Sequence, residues 1–272
     1  LVFNGVNPGD VTLVRNGDDV TFVIAESAPG AGDGGSVLVK ATLDNSNGTG
    51  VEQFVFGDGT VWSPADLRSK TTSPVLLDLN GDGHIDLRPL DTNALATGSA
   101  VTFDWNGDGA RDGTAWVGSQ DGFLAIDLGE DGQAGPDGEI DQSKELAFSE
   151  WATPDQVAAN GGSVSDLDGL RLAFDSNHDN VLDANDDRWS EFRVWRDANQ
   201  NGSVDDGELQ TMSQAGIKLI NLLSTTDGSQ SFSDGSAITG TSSYQTADGT
   251  SHYLVGDATL AYQPAIPKQN AA

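Results

Sequence analysis

Two acidic stretches, DSNHDNVLDAND from Asp175 and DANQNGSVDDGE from Asp197, constrain this chain more than any other feature. In a calcium loop of the EF-hand type, oxygen ligands come from positions 1, 3, 5, 7 (through its carbonyl), 9 and 12, and position 6 turns sharply. The second stretch meets each demand with Asp197, Asn199, Asn201, Gly202 at the turn, the Ser203 carbonyl, inward Val204, Asp205 and Glu208. The first offers Asp175, Asn177, Asp179, the Val181 carbonyl, inward Leu182, Asp183 and Asp186. It departs twice. Asn180 stands at the turn, which is tolerable because Asn enters left-handed backbone more readily than most residues. Asp186 replaces a longer glutamate, which predicts a weaker site or one more permissive to Mg²⁺.

The flanks sharpen this expectation against the plainer reading of Asx-rich surface turns. Val164, Leu167, Leu170 and Phe174 recur at helical spacing before the first stretch, Trp189, Phe192 and Trp195 between the two, and Leu209 and Met212 after the second, with Gly216 as a stop. Helix, loop, helix, loop, helix is the predicted order. Asp175 and Asp197 stand only 22 residues apart, so the middle helix must serve both loops, which is tighter than an ordinary EF-hand pair.

Charge explains why such a chain needs cations. Asp and Glu total 42 against 13 Lys and Arg, a formal charge of −29, yet 36% hydrophobic content is enough for real cores. A chain this acidic repels itself when compact, and it repels nucleic acid and anionic membrane. Without cysteine, a disulfide framework, a thiol nucleophile and Cys-ligated zinc are all excluded. His84, His178 and His252 match no zinc or triad spacing, and no apolar run is long enough to span a membrane. The opening residues, LVFNGVNPGD, do not resemble a signal peptide.

Taken in order, residues 1–70 alternate as strands in DVTLVRNG, DDVTFVIAE and SVLVKATL, between Gly, Asn, Asp and Pro clusters. Further acidic loops follow. DLNGDGHID supplies Asp78, Asn80, Asp82, the His84 carbonyl and Asp86, but Pro89 stands at position 12. DWNGDGARD repeats the pattern with Asp104, Asn106, Asp108, Ala110 and Asp112, but Ala115 stands at position 12. Both lack a closing carboxylate, so each is a calcium loop completed from elsewhere in the fold or a set of Asx turns. A third, DLGEDGQAGPDGEIDQSKE, holds Asp127, Asp131, Glu139, Asp141 and Glu145 and reads as a calcium loop opened by an insertion around Pro136. GIKLINLL then suits a buried strand, residues 226–263 suit hairpins, and the tail 264–272 carries no core pattern.

TSPVLLDLNGDGHIDL, FDWNGDGARDGTAWV, the run from DGFLAIDL to ELAF, and the pair of strong loops followed by GIKLINL together resemble the calcium module of RTX (repeat-in-toxin) exoproteins, nearest the FrpC-like group with a self-processing module. The resemblance covers residues 71–225. Residues 1–70, through GVNPGDVTLVRNGDD and VEQFVFGDGTVW, separately resemble the β segment that flanks RTX repeats. The resemblance implies type I secretion into millimolar calcium, folding on exit, and a larger RTX protein as the chain's context. Self-processing members cut an Asp–Pro bond and can join the new end to a lysine; the matching position here is Ser73–Pro74. A serine cannot form the side-chain anhydride that such cleavage needs.

The expected architecture is therefore α+β, with β-rich N- and C-terminal parts around a central module that holds the helix-flanked loop pair. The expected function is a calcium-binding structural segment of a secreted protein rather than an enzyme. The alternatives are calcium-dependent autoprocessing and a glycan-active hydrolase or adhesin domain, with a cell-surface or glycan target.

Overall fold

The computed structural model describes residues 1–16, 19–28, 30–40, 42, 51–63, 67, 73–105, 109–160, 164–249 and 252–263. The tail 264–272, expected to be mobile, lies outside the described residues. Among them the chain is mostly β-sheet. In chain order the strands are β1 (Val11–Asn16), β2 (Asp19–Ile24), β3 (Gly35–Val39), β4 (Phe54–Val55), β5 (Val61–Trp62), β6 (Val75–Leu77), β7 (Leu87–Arg88), β8 (Thr102–Phe103), β9 (Asp112–Thr114) and β10 (Trp116–Val117). They continue with β11 (Gly122–Ile126), β12 (Val181–Asp183), β13 (Phe192–Trp195), β14 (Leu209–Thr211), β15 (Ile217–Asn221), β16 (Gln230–Ser231), β17 (Ala237–Thr246), β18 (His252–Thr259) and β19 (Tyr262–Gln263). Among the described residues, three short α-helices with assigned bounds accompany them, α1 (Thr92–Thr97), α2 (Pro154–Ala159) and α3 (Asp166–Ala173), beside four single turns of 3-10 helix.

A nine-stranded sheet runs in the order β12-β15-β17-β18-β6-β11-β13-β14, with β16 added on β17. Its central strands are apolar on both faces. Side chains alternate across a strand, so Val75, Leu77, Leu124, Ile126, Phe192 and Val194 enter one core, where Leu167 and Leu170 of α3 meet them beside Phe148 and Phe174. Leu76, Phe123, Ala125 and Trp195 enter a second core with Phe103, Trp105, Trp116 and Tyr262. Burial on both sides explains why VLL, GFLAI and the W of FRVW read as continuous apolar runs rather than as alternation.

The second sheet, of six strands in the order β3-β2-β1-β19-β9-β8, joins the N-terminal hairpins to the rest of the chain. Tyr262 of β19 faces Leu13 of β1 on one side and Thr114 of β9 on the other. A third core, built from Phe3, Leu13, Phe22, Phe54, Phe56 and Trp62, fills the N-terminal part.

The α+β expectation with a helix-flanked loop pair is overturned. Only the segment before the first strong loop is α-helical, where Ser165 accepts from the Asp168 N–H in a capping box; between the loops a single 3-10 turn, Trp189–Glu191, precedes the strand. Between the loops lies β13 and after the second lies β14. The spacing of Trp189, Phe192 and Trp195 mimics a helix, but Phe192 and Val194 face one core and Trp195 the other, which is a period of two. Ten residues between two tight loops leave little room for a helix, and aromatic and β-branched side chains favour the pleated alternative.

Trp195 is fully buried and meets Trp116 edge-on at 5.5 Å between ring centroids. Replacing it with alanine is expected to cost about 3–5 kcal/mol in urea unfolding; a loss below about 1 kcal/mol is incompatible with burial of β13 on both faces.

Candidate metal centres

Each strong loop is closed by two carboxylates with separate duties. In the loop from Asp175, the first carboxylate accepts from the Asp179 N–H at 3.1 Å and the Asn180 N–H at 2.9 Å, holding the tip. The last, Asp186, accepts from the Ser176 N–H at 2.8 Å and the Asp183 N–H at 2.9 Å, tying the second residue to the ninth. Asn180 takes φ +65°, the left-handed turn for which its residue type was suited. In the loop from Asp197, that carboxylate accepts from the Asn201 N–H at 3.1 Å and the Gly202 N–H at 2.7 Å. Glu208 accepts from the Ala198 N–H at 2.9 Å and the Asp205 N–H at 3.1 Å. The amide oxygens of Asn177 and Asn201 brace the same turns, accepting from the N–H groups of Asp179 and Ser203.

The loop from Asp78 repeats this scheme with a carboxylate from elsewhere. Asp78 accepts from the Gly81 N–H at 2.7 Å and the Gly83 N–H at 2.9 Å. The N–H groups of its second and ninth residues, Leu79 and Asp86, donate to Asp121 at 3.2 and 2.8 Å. Asp121 therefore stands where Pro89 leaves position 12 empty of charge. Sequence reasoning missed it, and its only signal was the missing carboxylate itself.

In the loop from Asp127, Glu145 accepts from the Leu128 N–H at 3.0 Å and the Asp141 N–H at 2.8 Å. Asp127 accepts from the Asp137 and Gly138 N–H groups at 3.1 and 3.2 Å. Asp137, which the sequence did not single out, accepts from the Glu139 N–H at 3.0 Å, the duty of Asn201 in the stronger loop. Asp131 only caps the Gln133 N–H inside the insertion. In the loop from Asp104, that carboxylate accepts from the Gly109 N–H at 2.8 Å, and Asp112 is buried in β9; Asn106 and Asp108 lie outside the described residues. Arg111 of this loop donates to the Thr102 and Gly202 carbonyl oxygens, joining it to the loop from Asp197.

Among the described residues, no three His, Cys, Asp or Glu side chains converge as a ready-made metal cluster. The donor set is instead mixed: carboxylates, Asn amides and the carbonyls of His84, Val181 and Ser203 within the loops. Oxygen donors of this kind suit a hard cation such as Ca²⁺ or Mg²⁺ and not a thiolate-seeking metal. Asn199 and Asn201 both donate to Asp205 Oδ2 at 2.7 Å, which draws the prospective ligands of that loop into one cluster.

Three buried carboxylates carry an electrostatic cost. Burial pushes Asp121 up to about 6 and Glu145 up to about 7, against the lowering pull of their backbone N–H donors. Burial also raises Asp257, which accepts from the Asp166 and Leu167 N–H groups at the start of α3 and receives the Ser73 hydroxyl at 3.5 Å. A carboxyl whose pKa is higher in the folded than in the unfolded chain binds protons more tightly when folded, so its ionisation lowers stability. Metal-free protein is thus expected to lose stability as pH rises from about 4 to about 7. Thermal unfolding in chelator at pH 5 and pH 7.5 measures this, and a higher melting temperature at pH 7.5 contradicts it.

A family model described as the SPM domain matches residues 75–261, and one described as the haemolysin-type calcium binding protein related domain matches residues 31–66. The iron-regulated protein FrpA of Neisseria meningitidis serogroup C is 32% identical over 188 residues, 69% of this chain. The chain spans 15% of the length of that relative. These matches carry the RTX-type resemblance at the level of family. Because the first of them takes in most of the chain, including every acidic loop described above, the chain belongs to the SPM domain family.

Proposed function

We propose that this chain is a calcium-stabilised structural segment of a larger secreted RTX-type protein, exported by a type I system and folded by extracellular Ca²⁺. The observation that supports this best is the shared closure of three loops. Asp121, Asp186 and Glu208 come from different places in the sequence, yet each ties the second residue of its loop to the ninth. The proposed ligands are Asp78, Asn80, Asp82, His84 and Asp86 with Asp121; Asp175, Asn177, Asp179, Val181, Asp183 and Asp186; and Asp197, Asn199, Asn201, Ser203, Asp205 and Glu208. Residues 104–112 form a further candidate.

A bound cation supplies the positive charge that this chain of net charge −29 lacks. Extracellular loops of this type bind at about 10⁻⁴ to 10⁻³ M, which suits a structural role. At millimolar Ca²⁺, about one to ten times such a dissociation constant, each site adds about 0.4–1.4 kcal/mol to the folded state, and several sites together contribute a sizeable part of a total stability of roughly 5–15 kcal/mol. Calcium then orders the loops that it fills and raises the stability of the folded chain. The Ser73–Pro74 bond stays intact in this reading, because the Ser73 hydroxyl has no route to an anhydride.

Titration of chelator-stripped protein with Ca²⁺, followed by circular dichroism and melting temperature, is expected to raise both order and stability while the chain stays whole on a gel. A calcium-dependent cut near residue 73 supports the processing alternative, and no response to calcium removes the reading. Asp121→Ala is expected to bind one ion fewer. Because Asp121 must be ionised to act as a ligand and ionises at about 6, the affinity of its loop should be level above about pH 7 and fall about tenfold per unit below about pH 6.

A further inference from the structure

One loop already contains a cation. Arg193 Nε lies 3.1 Å from Asp127 Oδ2, with the two side chains 13% and 3% exposed. The other oxygen of Asp127 is taken by the Asp137 and Gly138 N–H groups. The first carboxylates of the comparable loops meet only neutral donors: backbone N–H groups at Asp78 and Asp175, and backbone N–H groups with Trp116 Nε1 at Asp197. Two further ion pairs, Arg171 with Asp168 and Arg188 with Glu191, lie outside the loops from Asp78, Asp175 and Asp197.

The sheet, not the loop, delivers this charge. Arg193 belongs to β13 and faces Ala125 of β11, two residues before Asp127. Its Nη1 donates to the Ser190 and Phe192 carbonyls at 2.8 and 3.0 Å, which fixes the fork in place. A guanidinium stays charged at every physiological pH, and a buried carboxylate that it pairs cannot be left alone without a large penalty.

We propose that Arg193 is the resident cation of the loop from Asp127 to Glu145, so that this loop closes without calcium while the loops from Asp78, Asp175 and Asp197 require it. The inference rests on the calcium reading above, which it deepens by separating metal-dependent from metal-independent loops. Arg193 is a specificity residue: it excludes Ca²⁺ from one acidic loop in a chain full of them.

Amide hydrogen exchange on the full wild-type chain, in EGTA and in Ca²⁺, tests this. Leu128, Asp137, Gly138 and Asp141 are expected to keep their protection in EGTA, while Ala198, Asp205, Ser176 and Asp183 exchange about tenfold faster or more. Equal loss of protection in all loops overturns the inference; no change in any loop overturns the calcium reading instead. Calcium counted by equilibrium dialysis gives the second arm. Arg193→Met should bind one ion more than wild type and Arg193→Lys the wild-type number. An unchanged count in folded Arg193→Met, beside a wild type that binds calcium, overturns the inference, and if that variant does not fold the exchange result decides.

Discussion

Everything in this fold depends on keeping acidic side chains close together. The solution repeated through the chain is a carboxylate that accepts two backbone N–H groups, one at the entrance of a loop and one near its exit. Such hydrogen bonds are charge-assisted and stronger than neutral ones, and they convert a repulsive cluster into a shaped loop. They also leave lone pairs free, because a carboxylate has room for about four partners. The closing groups are therefore both fasteners and prospective ligands. Their burial makes them costly until a cation or a proton arrives, which links the stability of the chain to the ionic composition around it.

The sheets hold those loops at fixed separations. β6, β11 and β13 lead directly into the loops that begin at Asp78, Asp127 and Asp197, so three loops hang from neighbouring strands buried on both faces. Trp116 then reaches from the second core to Asp197 at 2.8 Å, setting the first carboxylate of that loop against a rigid aromatic cluster. A Cβ on Gly202 would collide with the Thr102 carbonyl, so the turn of that loop is also the place where two loops touch. Packing and prospective metal binding are one problem here.

The closed turns of the two strong loops were legible because the spacing of their Asp and Asn residues is local. The loops from Asp175 and Asp197 fold as their positions demand, down to the left-handed turn at Asn180. Local reasoning fails where the partner is remote. Asp121 reaches the loop from Asp78 through the turn before β11, and nothing in DLNGDGHID points there. Asp137 was hidden by an insertion that shifts the register of its loop. The strand at β13 was misread because a spacing of three can arise from two opposite faces of a sheet as well as from one face of a helix. The alternating stretches at the N-terminus and around β17 and β18 gave no such trouble, since they alternate over many residues.

The sheet order carries a kinetic consequence. β18, near the end of the described chain, is inserted between β17 and β6, and β19 lies between β1 and β9. The six-stranded sheet therefore joins strands near both ends of the described residues, and the nine-stranded sheet joins Val75–Leu77 to His252–Thr259. Pairings this distant close slowly, since the entropy of a long loop must be met before the contacts return it. Neither sheet is complete until both sets of strands are present.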